Sequence, residues 1–454
     1  MIVLKKRQKK FSITTCVFLF VLLLGLWAER LEAQLSSFPY PLSYFKLKNG
    51  LEVIVCEDSS LPLVSVVVTY SVGSVNDPEN KGGLALMMQY LMFQGSQNVG
   101  PMQHLMYIQN VGGELNASTT FDKTFFYETV PSNQLSLVLW LESDRMNSLE
   151  VNEAKVARIK ELMLANEQER NLQEPYARYF FLMDQILFPD FSYGHSPLGT
   201  KESINSITVD DVLSFYRRYY VPNNALICIS GDIKAPKARE LVSKYFETIP
   251  GGVEVPSYPE VDFSSVISSR DQIIIDPLVS TPALQFGLRL DKPQPEEKAV
   301  LRLFEYLLIN GKSSRLYRLL VNRERLALYL NGGLEDRRGF ISLKIFLLAN
   351  NQIMIDRSKK LISDELNKFK LEMVSERELV KAKNKYRYDF WNQLTTTNLA
   401  RALTLTEFYL DRAMLPDLDN ELAAVNTVTS YSILALARKY LQESKYCFVT
   451  ILPR

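Results

Sequence analysis

Apolar and polar residues alternate with period two over "YFKLKNGLEVIVCED" and "PLVSVVVTYSVGS" (44–74), which predicts strands. Asn49–Gly50 inside the first run predicts a hairpin turn. The pattern changes over Gly83–Phe93, where apolar side chains fill nearly every position of a helix-length stretch. "GGELNASTTFDKTFFYETV" (112–130) alternates again and is rich in Thr and Phe, so it predicts one or two strands. Helical periodicity with strong helix formers covers 134–147 and 150–171. "TVDDVLSFYRRYYVPNNALICISGDI" (208–233) reads as a helix, a Pro-Asn turn and a strand, with Thr208 or Asp210 as the helix cap.

Three prolines and two glycines break all periodicity in "IPGGVEVPSYPEVDF" (249–263), which predicts an interdomain linker. Beyond it the order of elements repeats. Residues 272–290 alternate like a strand pair, 295–309 and 313–327 are helical, 332–349 are strand-like, and 353–392 and 397–411 are helical. "VNTVTSYSILALARKYLQESKYCFVTIL" (425–452) echoes "INSITVDDVLSFYRRYYVPNNALICIS" (204–230) at an offset of 221. Asn205, Thr208, Arg217 and Tyr219 fall on Asn426, Thr429, Arg438 and Tyr440. A repeat of this length implies two copies of one domain. The expected fold class is therefore α+β, with two homologous domains, each a mostly antiparallel sheet packed with helices. The expected bounds are 40–248 and 267–454, joined by a linker at 249–266.

Composition agrees: 454 residues exceed one ordinary core, and 47% hydrophobic with 23% charged residues is globular. Residues 1–33 stand apart. A basic start, "MIVLKKRQKK", precedes a mostly apolar run of seventeen residues, and Ala33 offers a small residue for cleavage. This is the layout of a secretory signal peptide; retained, it would be an N-terminal membrane anchor. The chain is thus expected to be exported, to the periplasm in a Gram-negative cell. Residues 1–33 hold six Lys/Arg and two Asp/Glu, leaving 46 basic and 49 acidic residues, a net charge near −3. That balance gives no basic face for nucleic acid.

Cys56, Cys228 and Cys447 lie in strand-like apolar runs without a CxxC pair, which reads as buried free thiols or as one disulfide with an odd cysteine. With two histidines, His104 and His195, no His-rich metal site can be built. One polar side chain, Gln89, sits in the middle of the apolar helix "GGLALMMQYLMFQGS" (82–96), with Tyr90 beside it.

That helix, "GGELNASTTFDKTFFYETV", "LFPDFSYGHSPLGT" (187–200) and "GKSSRLYRLL" (311–320) occur in the order and spacing of one family. The chain resembles the pitrilysin/insulinase zinc peptidases, which include the mitochondrial processing peptidase and short bacterial two-domain members. The resemblance covers roughly 44–454 and implies a pair of α+β domains. Active members carry HxxEH: two His at i and i+4 on one helical face bind Zn²⁺, and the Glu activates the zinc-bound water. Here the first His position is Leu86, the base is Gln89 and the second His position is Tyr90. Glu167, 77 residues beyond Tyr90, matches the third ligand.

Leucine has no lone pair to give, a neutral amide accepts no proton near pH 7, and a neutral phenol is a poor zinc ligand. The expectation is a chain without catalytic zinc or other cofactor. In the family a peptide substrate adds as a strand to the edge formed by the GGxxNA segment. Gly112, Gly113, Asn116 and Ala117 keep that pattern, whose other reading is a structural strand after a glycine turn. The family's Arg and Tyr, seven apart, fall on Val321 and Leu328, with Arg323 and Tyr329 close but off register.

The resemblance implies a non-catalytic subunit that forms half of a clamshell cavity with an active homologue, as a heterodimer, or that pairs with itself. The alternatives are a stand-alone peptide-binding or chaperone-like envelope protein and a metallopeptidase with unusual ligands.

Overall fold

The computed structural model describes residues 38–454 other than 175, 180, 190, 254, 256–269, 292, 339 and 413–417. The signal or anchor segment and most of the linker lie outside the described residues. The alternating runs form the expected strands. The first sheet contains β1 (Leu42–Lys46), β2 (Glu52–Glu57), β3 (Leu63–Tyr70), β4 (Glu114–Thr119), β5 (Thr124–Pro131) and β6 (Ala225–Gly231), in the order β1-β2-β6-β3-β5-β4. The second contains β7 (Arg270–Ile275), β8 (Ala283–Asp291), β9 (Tyr329–Arg337), β10 (Phe340–Leu348) and β11 (Cys447–Leu452), in the order β7-β11-β8-β10-β9. The second sheet repeats β2-β6-β3-β5-β4 strand for strand. In each, the only parallel pair among the described residues is the equivalent one, β2–β6 or β7–β11.

In the first half the helices are α1 (Leu84–Leu91), α2 (Gln103–Asn110), α3 (Leu135–Ser148), α4 (Glu153–Gln173), α5 (Leu182–Leu187), α6 (Phe191–Gly194), α7 (Lys201–Ser206), α8 (Val209–Tyr219) and α9 (Ala235–Phe246). In the second they are α10 (Glu297–Leu308), α11 (Gln352–Leu371), α12 (Glu376–Thr395), α13 (Asn398–Arg412), α14 (Leu418–Thr427) and α15 (Ser430–Tyr440). The sequence repeat reappears as hydrogen bonding. Thr208 accepts from the Asp211 N–H at 3.2 Å while the Asp211 carboxylate accepts from the Thr208 N–H at 2.8 Å, at the start of α8. Thr429 and Ser432 make the same reciprocal pair at the start of α15, at 3.1 and 3.2 Å. Each box satisfies two main-chain donors that the helix leaves open.

Two expectations are revised, and one helix had no expectation. The helix expected at 313–327 is a π-helical turn at Tyr317–Arg323, ended by Arg325 at φ +53°. The chain turns there so that the Leu328 N–H reaches the Leu348 carbonyl at 2.8 Å and starts β9; strand pairing overrides local propensity. The helix expected over 353–392 is two, divided where Ser375 and Glu378 form a capping box for α12. Residues 103–110, too mixed in polarity to stand out, form α2.

The halves interlock. α5, from the first half, lies on β8 and β11; α13, from the second, lies on β3 and β6. Gly287 in β8 admits α5, because a Cβ there would sit 2.2 Å from the Met183 sulfur. On the other side Ile54, Cys56, Leu226 and Cys228 share one core with Ala402 and Leu405. Cys56, Cys228 and Cys447 are buried and form no disulfide among the described residues, and burial pushes the Cys56 thiol up to about 11.

Candidate functional site

α1 buries Leu84, Ala85, Met87, Met88 and Leu91 and leaves Leu86, Gln89 and Tyr90 half-buried. These three are spaced i, i+3, i+4, so they share one face of the helix. The N-terminus of α1 is held by Asp77, whose carboxylate accepts from the Gly83 and Ala85 N–H groups, both at 2.8 Å. Gly83, at φ +94°, makes the turn into the helix. His195 comes from "LFPDFSYGHSPLGT" to place Nε2 3.3 Å from the Asp77 carboxylate, which burial pushes above the usual carboxylate range. His195 thus braces the start of α1.

The Gln89 amide is committed to β4. Its Oε1 accepts from the Thr119 hydroxyl at 2.8 Å and its Nε2 donates to the Ala117 carbonyl at 3.4 Å. Only this orientation of the amide meets both partners, since the reverse would set two acceptors together. The Tyr90 hydroxyl receives a long hydrogen bond, 3.5 Å, from Asn166 on α4, next to half-buried Glu167. The fold therefore gathers Leu86, Gln89, Tyr90 and this stretch of α4 on one side of α1. That donor set does not fit a tetrahedral Zn²⁺: it offers one carboxylate, a phenol and an amide already hydrogen-bonded at both ends.

Gly112 and Gly113 link α2 to β4. Gly112, at φ +77°, ends α2 with its N–H on the Gln109 carbonyl at 3.0 Å. A Cβ on Gly113 would lie 2.6 Å from Val130 and 2.9 Å from Ile108, so the packing itself calls for glycine. Asn116 and Ala117 lie in the middle of β4, which among the described residues pairs only with β5 and is the edge of the sheet. The Ala117 N–H donates to Asn116 Oδ1 at 2.8 Å. A cleft of about 820 Å³ opens between the halves, bounded by Thr120–Lys123 at the β4–β5 turn and by Glu335–Arg338 near the β9–β10 turn.

Two models of one family match this chain: insulinase (peptidase family M16) over residues 52–187, and the peptidase M16 inactive domain over residues 206–386. The chain belongs to the insulinase peptidase family. The zinc protease PqqE of Helicobacter pylori is 27% identical over 398 residues, 86% of this chain and 88% of that one. A crystallised protease from Helicobacter pylori, 24% identical, superposes with a TM-score of 0.83 over 91% of this chain and all of its own. The periplasmic protease PqqL of Escherichia coli, 17% identical, matches 92% of this chain with 48% of its length, at a TM-score of 0.73. The insulinase fold is thus retained around residues whose side chains differ from the family's HxxEH.

In the second half, Val321 lies in the π-helical turn, while Leu328 and Tyr329 stand 59% and 49% exposed where β9 begins. Arg323 pairs with its neighbour Glu324 at 3.2 Å. Arg315 is folded onto the Phe369 ring and paired with Glu365 and Glu378.

Sequence reading missed a buried cluster behind the site. Among the described residues, His104, Glu128 and Glu142 are the set whose donor atoms approach closely enough to hold a metal. Arg145 occupies it: its Nη2 and Nε bind the Glu142 carboxylate and its guanidinium lies 4.1 Å from the Phe126 ring centre. His104 Nε2 lies 3.2 Å from Glu128. Burial, with Arg145 adding to it, pushes His104 down to about 3, and burial raises Glu142 to about 8. With a guanidinium already balancing the carboxylates, the cluster is an internal brace. Its members lie 14 to 38 residues apart on α2, β5 and α3, and no sequence spacing joins them.

Proposed function

We propose that the chain is a non-catalytic subunit of an exported zinc peptidase, forming one wall of a peptide-holding cavity with an active homologue. The observation that carries this reading is the Gln89 amide, hydrogen-bonded at both ends to β4 at the position of the family's general base. Neighbouring Leu86 and Tyr90 add no good zinc donor, so neither zinc nor another cofactor is assigned to this chain. A general base contributes about 10²–10⁴ in rate and a metal-activated water more, so the site as built supports no family-type hydrolysis. A fold kept intact around such a site fits selection for shape rather than turnover. The cleft between the halves and the edge strand β4 give that shape a use, as a surface for extended peptides.

Export rests on the basic-then-apolar layout of residues 1–33 and on the periplasmic address of the PqqL relative. No helix of the described residues is long and apolar enough to cross a membrane. Co-expression with an active homologue carrying HxxEH, followed by affinity purification through a tag on this chain, tests the assignment. A stable complex whose peptidase activity needs this chain supports it. A chain recovered only alone, or one carrying stoichiometric zinc that Glu167→Ala removes, overturns it.

A further inference from the structure

β4 is an edge strand, and edge strands leave a row of main-chain groups unpaired. In an antiparallel ladder, alternate residues turn both N–H and C=O toward the partner strand, and the others turn both away. Ala117 belongs to the second set, since side chains, rather than β5, take both of its groups. Asn116 Oδ1 accepts its N–H at 2.8 Å, and Gln89 Nε2 donates to its carbonyl at 3.4 Å. The Thr119 hydroxyl, 2.8 Å from Gln89 Oε1, holds the amide in place from the same strand.

We propose that Gln89 is an edge cap. It occupies the main-chain acceptor that an added peptide strand would use, so this chain binds extended peptide at β4 only when the amide is displaced. The chemistry is selective for the residue at this position. A glutamate there would face the Ala117 carbonyl acceptor to acceptor, so it could not make the bond and would leave the carbonyl open. Exchange of a carboxylate for an amide therefore does two things at once: it removes a base and it closes a rung of the edge. Asn116 closes the neighbouring donor of the same rung. The ligand class that could reopen the edge is an extended peptide able to supply both an N–H and a C=O to Ala117, with no demand for particular side chains.

This inference rests on the reading of β4 as the family's peptide edge, and its test is separate from co-purification with an active homologue. The probe is a fluorescein-labelled decapeptide of alternating valine and threonine with one lysine at each end, titrated by fluorescence anisotropy against the full chain. Wild type, Gln89→Ala, Gln89→Glu and Thr119→Val are compared, with thermal unfolding confirming that each variant is folded. One released hydrogen-bonding group corresponds to about a five- to tenfold gain in affinity. Gln89→Ala and Gln89→Glu should both show it, and Thr119→Val, which frees the amide without removing it, should show a smaller gain. Equal or weaker binding by both Gln89 variants, or no binding by any of the four proteins, overturns the cap. Recovery or loss of the complex with an active homologue is unaffected by any of these results.

Discussion

Asp58 and Arg401 are 343 residues apart and form a buried ion pair across the two halves, with Arg401 Nη1 donating to Asp58 Oδ2 at 2.9 Å. The same guanidinium donates to the Leu394 carbonyl and lies 3.5 Å from the Tyr40 ring centre. A second pair runs the opposite way. Asp184 on α5 accepts from Arg337 at 2.7 Å and from Lys344 at 2.9 and 3.0 Å, both on the second sheet. Each half therefore sends one helix and one buried charge to the other.

Removing one partner of a buried pair strands the other. Arg401→Ala is expected to lower unfolding free energy by about 3–5 kcal/mol. Asp184→Ala, which leaves Arg337 and Lys344 sharing Glu335, should cost a comparable amount. Urea unfolding followed by circular dichroism gives both values. A surface control, Lys46→Ala in the exposed pair with Glu52, should fall below about 1 kcal/mol.

The duplicated capping boxes should be worth the same in both halves. Thr208→Ala and Thr429→Ala are each expected to cost about 1 kcal/mol. Because the two sites share no contact, the double variant should be additive. A loss at one site alone would mean that the equivalence is formal rather than energetic.

His104 and Glu142 should shape the pH profile of stability in opposite directions. The folded state lowers His104 from 6.5 to about 3, so its contribution is complete above pH 6.5 and is lost as pH falls toward 3. It raises Glu142 from 4.5 to about 8, so that contribution is complete below pH 4.5 and is lost as pH rises through 8. Together they give stability that rises from pH 3 to 4.5, stays level to 6.5 and falls toward 8. His104→Gln, which keeps a donor for Glu128 but does not titrate, should remove the acid limb. Glu142→Gln should remove the alkaline one. Differential scanning calorimetry from pH 3 to 9 reads both.

Restoring the missing donors should restore the metal. Leu86, Gln89 and Tyr90 share one face of α1, so Leu86→His/Gln89→Glu/Tyr90→His rebuilds the i, i+4 histidine pair. Elemental analysis of the triple variant is expected to show about one zinc per chain, lost on adding Glu167→Ala. Wild type should show none. Absence of zinc from the triple variant would mean that α4 stands too far from α1 to supply the third ligand.

Sequence showed the strands and most long helices because their periodicity is local. The repeat at offset 221 was legible for the same reason, and it survives as matched capping boxes at Thr208 and Thr429. That Leu86 stands where the family places its first zinc-binding histidine could be read directly from the HxxEH register. What Gln89 does instead could not, because Ala117 and Thr119 reach it only after β4 folds beside α1. The His104–Glu128–Glu142–Arg145 cluster and the Asp77–His195 brace were hidden for the same reason. The helix expected at 313–327 ends early, at Arg323, because strand pairing at Leu328 outweighs a favourable helical stretch.

The crossing of α5 and α13 has a consequence for how the molecule comes apart. Two sheets with separate cores would ordinarily melt in two steps, the weaker before the stronger. Here neither sheet can lose its own half without exposing the face that the other half's helix covers. The chain should accordingly unfold in one transition, and a cut near residue 250 should yield two fragments that are insoluble apart and refold only when mixed.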